Sequence, residues 1–296
     1  MMMNRLYLPY LEFYITNVCN LTCQECNRFN NDKFKGWQRW SEYADIYERW
    51  SHELDFGYYG ILGGEPTLNP TFYQWLEGLQ KLWPGRFCQV GSNGTQLDKH
   101  PELYEILRKY KKTLAFNVAC HNPASWNALK EKIHNFLGDN VKETFDDGMF
   151  KKCWLEDDQG VRIRLTQEWL FQKSALITNP KTGRKTLHNS NREKAHAICY
   201  SKNCHHFDKG QLYKCGPSSL FKEYDKQFTL ELSAEDRQLI QDYKPLSIED
   251  NQETKKKFID ALPNSISLCK FCPDYMKRFE LDSIEKKDFK KWTYSA

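Results

Sequence analysis

The stretch Leu11-Glu12-Phe13-Tyr14-Ile15-Thr16-Asn17-Val18-Cys19-Asn20-Leu21-Thr22-Cys23-Gln24-Glu25-Cys26 decides how this chain is read. Residues 11–16 form a strand-like run with Phe13 and Ile15 on one face. The run breaks into a polar loop that carries three cysteines at C-x3-C-x2-C spacing. Thiolates are the usual ligands of iron–sulfur clusters. Cys19, Cys23 and Cys26 can hold three irons of a cubane and leave the fourth open to the amino and carboxylate groups of a cosubstrate. Zinc would want a fourth nearby ligand, and the neighbouring sequence offers none.

Beyond this loop, strand-like and helix-like segments alternate. A helix is expected over residues 41–54, with Ser41 as its cap. A buried strand follows over 58–62. A second helix, capped by Asn69 with Pro70 at its first position, runs to about Trp83. Strand 87–90, helix 101–110, strand 114–119 and helix 124–137 continue the pattern. After Gly138 it loosens, and residues 161–165 read as a fifth strand that could run on to Phe171. Residues 178–193 read as an exposed polar loop. Such alternation means parallel strands with right-handed crossovers. Active sites in such folds gather at the carboxyl ends of the strands. The cysteine loop, Gly63-Gly64-Glu65-Pro66, Ser92-Asn93-Gly94 and His121 all fall there.

Apolar residues at 40% suffice for a core, and 28% charged residues with a mean hydropathy of −0.76 describe a soluble chain. A net charge of +4 is too small to argue for nucleic acid. Lys255, Lys256 and Lys257 read as a solvated helix face. No apolar run is long enough for a membrane span. The Met1-Met2-Met3-Asn4-Arg5 start lacks the features of a signal peptide. The expectation is a cytoplasmic protein. In a reducing compartment, eleven cysteines point to metal or catalysis rather than disulfides. Cys88, Cys120 and Cys153 stand alone and read as small buried hydrophobes. The aromatics Trp37, Trp40, Tyr43 and Trp50 read as core.

Cys199, Cys204, Cys215, Cys269 and Cys272 form a second group. Residues 204–215 read as a β-hairpin with Lys209-Gly210 as its two-residue turn, which sets Cys204 opposite Cys215. The C-x2-C of Cys269 and Cys272 could complete a four-sulfur site. On the residues alone, an iron–sulfur cluster and a structural zinc both remain open.

The loop of Cys19, Cys23 and Cys26 and the turn Gly63-Gly64-Glu65-Pro66 together resemble the radical S-adenosylmethionine (SAM) superfamily. The resemblance spans about residues 10–170. It implies an α/β fold built as a partial (β/α)6 TIM-like barrel, a [4Fe–4S] cluster on the three cysteines, and SAM as cosubstrate. Gly63, Gly64, Glu65 and Pro66 would receive the methionyl ammonium, Ser92 and Asn93 would make further contacts, and Asn117 and His121 would reach the ribose. Two positions depart from the family pattern. Glu25 stands where an aromatic residue is usual, and Cys120-His121 ends the fourth strand where a serine is common.

Cys199, Gly210 and Cys215 also fit the opening of the SPASM/Twitch modules of that superfamily. With only Cys269 and Cys272 downstream, the fit is to the shorter Twitch type, a small hairpin/helix module with one auxiliary [4Fe–4S] cluster on four of the five cysteines. The implied division is a core domain over residues 1–195 and an auxiliary module with its tail over 196–296. The implied function is oxidation of a small sugar- or cyclitol-like molecule through a 5′-deoxyadenosyl radical, fed by flavodoxin or ferredoxin. A peptide-modifying enzyme is the alternative, and a metal-stabilised binding protein without catalysis is the alternative of another class. No general base is assigned.

Overall fold

A computed structural model describes residues 5–30, 33–146, 151–168 and 170–280. Four strand–helix units open the chain: β1 (Leu6–Tyr14) and α1 (Trp40–Glu53), β2 (Leu54–Leu62) and α2 (Phe72–Leu82), β3 (Phe87–Ser92) and α3 (Leu103–Lys109), β4 (Leu114–Cys120) and α4 (Trp126–Leu137). Then come β5 (Lys142–Asp146), β6 (Lys152–Glu156) and β7 (Arg162–Gln167), followed by β8 (Leu170–Gln172), β9 (Leu176–Thr178), β10 (Lys185–Leu187) and α5 (Arg192–Ile198). The hairpin β11 (His205–Asp208) and β12 (Gln211–Tyr213) precedes α6 (Gly216–Phe228), α7 (Ala234–Asp242), α8 (Gln252–Ala261) and β13 (Arg278–Glu280).

Among the described residues, nine strands form one sheet in the order β12-β11-β1-β2-β3-β4-β7-β6-β5. The pairs β1–β2, β2–β3, β3–β4 and β4–β7 are parallel, as strict alternation requires. The sheet is therefore mixed but mostly parallel. It differs from six successive strand–helix units in two ways. An antiparallel pair, β5 and β6, intervenes before β7. The sixth parallel strand is β11, which joins the far edge beside β1. Within the hairpin the pairs are His206–Tyr213, Phe207–Leu212 and Asp208–Gln211, the register set by a Lys209-Gly210 turn. Both turn residues adopt positive φ, 52° and 72°, as a tight hairpin demands.

One face of the sheet carries Leu11, Phe13, Tyr59, Ile61, Val90, Phe116 and Val118, packed against Tyr47, Trp50, Trp75, Leu79 and Ile133 of the helices. Each such side chain contributes about 1.5–3 kcal/mol by leaving water. Cys88, Cys120 and Cys153 are fully buried in this core. A second core joins Phe29 and Phe34 of the cysteine loop to Phe221 and Tyr224 of α6 and to Leu268 and Phe271. The loop of the first cysteine group thus packs on the elements that carry the second.

Several local expectations shift. β1 begins at Leu6, directly after Arg5 and five residues ahead of the run read from residue 11. The first helix begins at Trp40 with Arg39 before it, and the backbone N–H of Trp40 donates to Thr71 Oγ1 at 3.1 Å. The second begins at Phe72; Asn69 instead caps Thr71, accepting from its N–H at 2.8 Å. Part of residues 178–193 pairs as β10 with β9. Lys255 is buried, not solvated: its ammonium bonds Glu53 at 2.6 Å and the Ile248 carbonyl at 2.7 Å. The proposed extension towards Phe171 crosses residue 169, outside the described residues.

Asp208, at the end of β11, is buried and accepts from Gln38 Nε2 at 2.7 Å. Burial first, with the Glu223 charge adding to it, pushes its carboxyl from 3.8 up to about 7 despite Lys209. Between those two values the unfolded chain binds fewer protons than the folded one. This group therefore costs stability as pH rises from about 4 to about 7, and the cost is complete above that. Asp208→Asn is expected to be more stable than wild type at pH 8, by an amount on the order of a few kcal/mol, and equal to it near pH 4. Urea unfolding of both proteins across that range measures the difference, and a gap independent of pH would contradict the assignment.

Candidate active site

The three thiols of the first loop border one cavity of about 310 Å³ at the carboxyl ends of β2, β3 and β4. Gly63, Gly64, Ser92, Asn93, Asn117 and His121 border it too, so the structure brings together most of the residues singled out in the sequence. The donor set suits an iron–sulfur cluster. Cys19 Sγ accepts from the Leu21 backbone N–H at 3.5 Å and lies 4.0 Å from Asn93 Nδ2, donors that stabilise a thiolate. Cys26 Sγ reaches Asn30 Oδ1 at 3.7 Å. Among the described residues, no three His, Cys, Asp or Glu side chains close around a single ion-sized point.

The two glycines serve the loop contact first. A Cβ on Gly64 would stand 2.3 Å from the Val18 carbonyl oxygen, and one on Gly63 would stand 2.7 Å from that of Thr16. The freed space lets Gly64 N donate to Thr16 O at 2.7 Å and Glu65 N to Val18 O at 2.8 Å. The glycine turn and the cysteine loop are therefore laced backbone to backbone.

Glu65 and Pro66 do not border the cavity. Glu65 is 1% exposed, and its carboxylate accepts from Thr67 N and Oγ1, from Ser92 Oγ at 2.8 Å and from Asn93 N at 2.7 Å. Burial raises its carboxyl from the usual range against the pull of these donors. The carboxylate that the resemblance assigns to the ammonium thus fixes the turn 92–94. Asn93 continues the web, its Nδ2 donating to Asn20 Oδ1 at 2.7 Å. Glu65→Gln sets an amide N–H₂ against these donors. We expect iron content near wild type and SAM binding weaker by about 1.5–3 kcal/mol, the scale of hydrogen bonds to a charged group. Anaerobic calorimetry decides it, and unchanged affinity would show that this turn does not position the cosubstrate.

The rest of the cavity wall mixes polar side chains with Leu21, Leu62 and Ala119. Tyr10, Arg28, Asn30 and Gln89 line it with Asn117. Asn117 Oδ1 accepts from Arg164 Nε and Thr166 Oγ1, both at 2.8 Å, which orients the amide. The His121 ring contacts the Glu168 carbonyl at 3.3 Å, and burial lowers its basicity.

Sequence reasoning missed a buried charge network beside this wall. Glu12 on β1 takes Arg28 Nη2 at 2.7 Å and pairs with His206 Nε2 on β11, and Tyr10 donates to it at 3.1 Å. Burial opposes the Glu12 charge, but Arg28 and His206 outweigh it and hold the carboxyl well below its ordinary value. The strand pattern could have flagged Glu12, a charge on a strand whose neighbours are all apolar or aromatic. Nothing local could have named its partners.

A second, smaller cavity of about 80 Å³ is bordered by Cys199, Cys215, Cys269 and Cys272, with His196 and Lys214 beside them. Cys204 does not border it; burial and then the Glu12 charge raise its thiol to about 12. Burial pushes Cys199 up to about 11, and raises Cys215, Cys269 and Cys272; in Cys199, Cys269 and Cys272 the charge of neighbouring thiols adds to it. A bound cationic centre reverses that opposition, so this donor set also suits a metal group. His196 Nε2 is buried there without a hydrogen-bond partner.

Comparison with known proteins bears on the first cavity. Residues 13–146 match the Radical SAM superfamily. The matched segment runs from the end of β1 to β5, a little under half of the chain, and holds Cys19, Cys23, Cys26, the glycine turn, Ser92, Asn93, Asn117 and His121. Members of that superfamily are enzymes that use SAM and a [4Fe–4S] cluster. Comparison with curated proteins finds no match. Solved structures similar to the chain include BtrN in complex with AdoMet and 2-DOIA, 17% identical, with a TM-score of 0.48 over 93% of this chain and 100% of that one. Streptococcus suis SuiB bound to S-adenosylmethionine is 21% identical, with a TM-score of 0.33 over 38% of this chain and 25% of that one. Native anSMEcpe with bound AdoMet is 19% identical, with a TM-score of 0.34 over 43% of this chain and 40% of that one. The chain thus spans about a quarter of the SuiB chain. None of these likenesses carries an argument about this chain's chemistry. No described helix is long and apolar enough to cross a membrane.

Proposed function

We propose that this chain is a radical SAM oxidoreductase acting on a small polar, sugar- or cyclitol-like molecule. Its radical SAM domain would hold a [4Fe–4S] cluster on Cys19, Cys23 and Cys26. A Twitch-type module over residues 196–296 would hold an auxiliary [4Fe–4S] cluster on Cys199, Cys215, Cys269 and Cys272. The observation that carries the reading is the single cavity that joins three thiols and the glycine turn to a wall of Tyr10, Arg28, Gln89 and Asn117. Those side chains offer hydrogen-bond donors and acceptors for the hydroxyls of a polar ligand, and Leu21, Leu62 and Ala119 line the same cavity beside them.

When bound, cluster and cosubstrate supply an electron and a 5′-deoxyadenosyl radical that takes a hydrogen atom from substrate. The protein's part is placement. Glu65 fixes the turn 92–94, the oriented Asn117 amide presents its N–H₂, and Glu12 holds Arg28 at the wall. The electron donor would be a flavodoxin or ferredoxin. The reading is tested by incubating anaerobically reconstituted protein with SAM and dithionite. Formation of 5′-deoxyadenosine is expected, and its absence from protein that retains iron would overturn the proposal. Deuterium passing from a deuterated cyclitol into 5′-deoxyadenosine tests the substrate class.

A further inference from the structure

Glu25 departs from the family resemblance, and the structure gives its side chain a task. It sits between Cys23 and Cys26 in the left-handed region, at φ 57°, where a residue with a Cβ needs outside support. Its carboxylate accepts from the Ser174 backbone N–H at 2.9 Å and pairs with the Lys173 ammonium, with the side chain 10% exposed. Lys173 and Ser174 border the second cavity. Lys173 N also donates to Lys277 O at 3.4 Å, just past Cys272. Asn27 borders both cavities, and its Nδ2 donates at 2.6 Å to the hydroxyl of Tyr200, which follows Cys199 directly.

We propose that Glu25 and Asn27 are positioning residues. They form a strap through which metal bound at the second cysteine site sets the geometry of the loop that holds the first. The proposal rests on the reading that both sites bind metal. A group closing on Cys199, Cys269 and Cys272 fixes Tyr200 and the wall at Lys173 and Ser174. Those in turn hold the two residues that flank Cys26. Free of its metal, the second site leaves the wall loose, and the cysteine loop loses the support that its left-handed turn requires.

The test uses the full chain, reconstituted without oxygen. SAM affinity is read by calorimetry, and the rate at which a chelator strips iron from the first site is read by absorbance. Cys269→Ala with Cys272→Ala is expected to weaken SAM binding about tenfold, roughly the loss of one good hydrogen bond, and to speed iron loss from the first site. Glu25→Ala should do the same, and the combined variant should be no worse than either alone. Tyr200→Phe, which removes one hydroxyl from a half-exposed ring, should show a smaller loss of the same sign. Effects that multiply, or a double cysteine variant equal to wild type in both readouts, overturn the strap. If that variant does not fold, unchanged readouts in both Glu25→Ala and Tyr200→Phe overturn it instead. Wild-type protein that binds no SAM would sink the functional reading, while the chelation rates would still judge the strap.

Discussion

Replacing Cys19, Cys23 and Cys26 together by alanine is expected to abolish cleavage of SAM and to remove one of two clusters. Intact protein should hold about eight irons after anaerobic reconstitution, and the triple variant about four, one cubane's worth. The three side chains share a cavity with the glycine turn, and their loss leaves the backbone contacts of Gly64 and Glu65 to the loop in place. The fold should therefore survive, so the loss of activity reports on the cluster. Circular dichroism checks the fold, iron analysis counts the loss, and chromatography measures 5′-deoxyadenosine. Full cleavage by a folded triple variant would sink the proposed chemistry.

The second large effect is at the other cavity. Cys269→Ala with Cys272→Ala should remove about four irons and spare the first cluster. If the site is instead a zinc knuckle, the same change would cost about one zinc and no iron. Slow formation of 5′-deoxyadenosine should persist, because the first cluster is retained. Product should vanish if the second cluster takes the substrate's electron. A folded double variant that oxidises substrate at the normal rate would remove that role. Cys204→Ala is the control. Cys204 does not border the cavity, so its loss should leave the iron count unchanged.

Local spacing explains what the sequence made legible. Cys19, Cys23 and Cys26 lie within one loop, and Gly63-Gly64 within one turn, so their chemistry is written in adjacent letters. The hairpin register follows from a two-residue turn, which fixes the pairing of His206 with Tyr213 by parity alone. What stayed hidden depends on partners far along the chain. Glu12 and His206 are 194 positions apart, and no pattern within either strand records their meeting. Motif spacing and hairpin geometry pointed different ways between Cys199 and Cys204, and only the fold shows that Cys199 borders the second cavity and Cys204 does not. Glu65 was recognisable as a motif residue, but its burial under Ser92 and Asn93 depends on how two strand ends abut. The pair β5 and β6 was missed because Lys142, Thr144, Lys152 and Trp154 do not alternate cleanly.

The place of β11 beside β1 also bears on the order in which the chain assembles. β1 is made long before β11, and its outer edge stays unpaired until residues 205–207 arrive. Until then a row of open backbone groups, with Glu12 and Arg28 lacking His206, faces whatever the growing chain meets. A contact so distant in sequence is slow to form. The hairpin therefore acts as a closing seal. A translation pause or a truncation before His205 would leave a half-made sheet with a sticky border, a prime substrate for chaperones and a nucleus for aggregation.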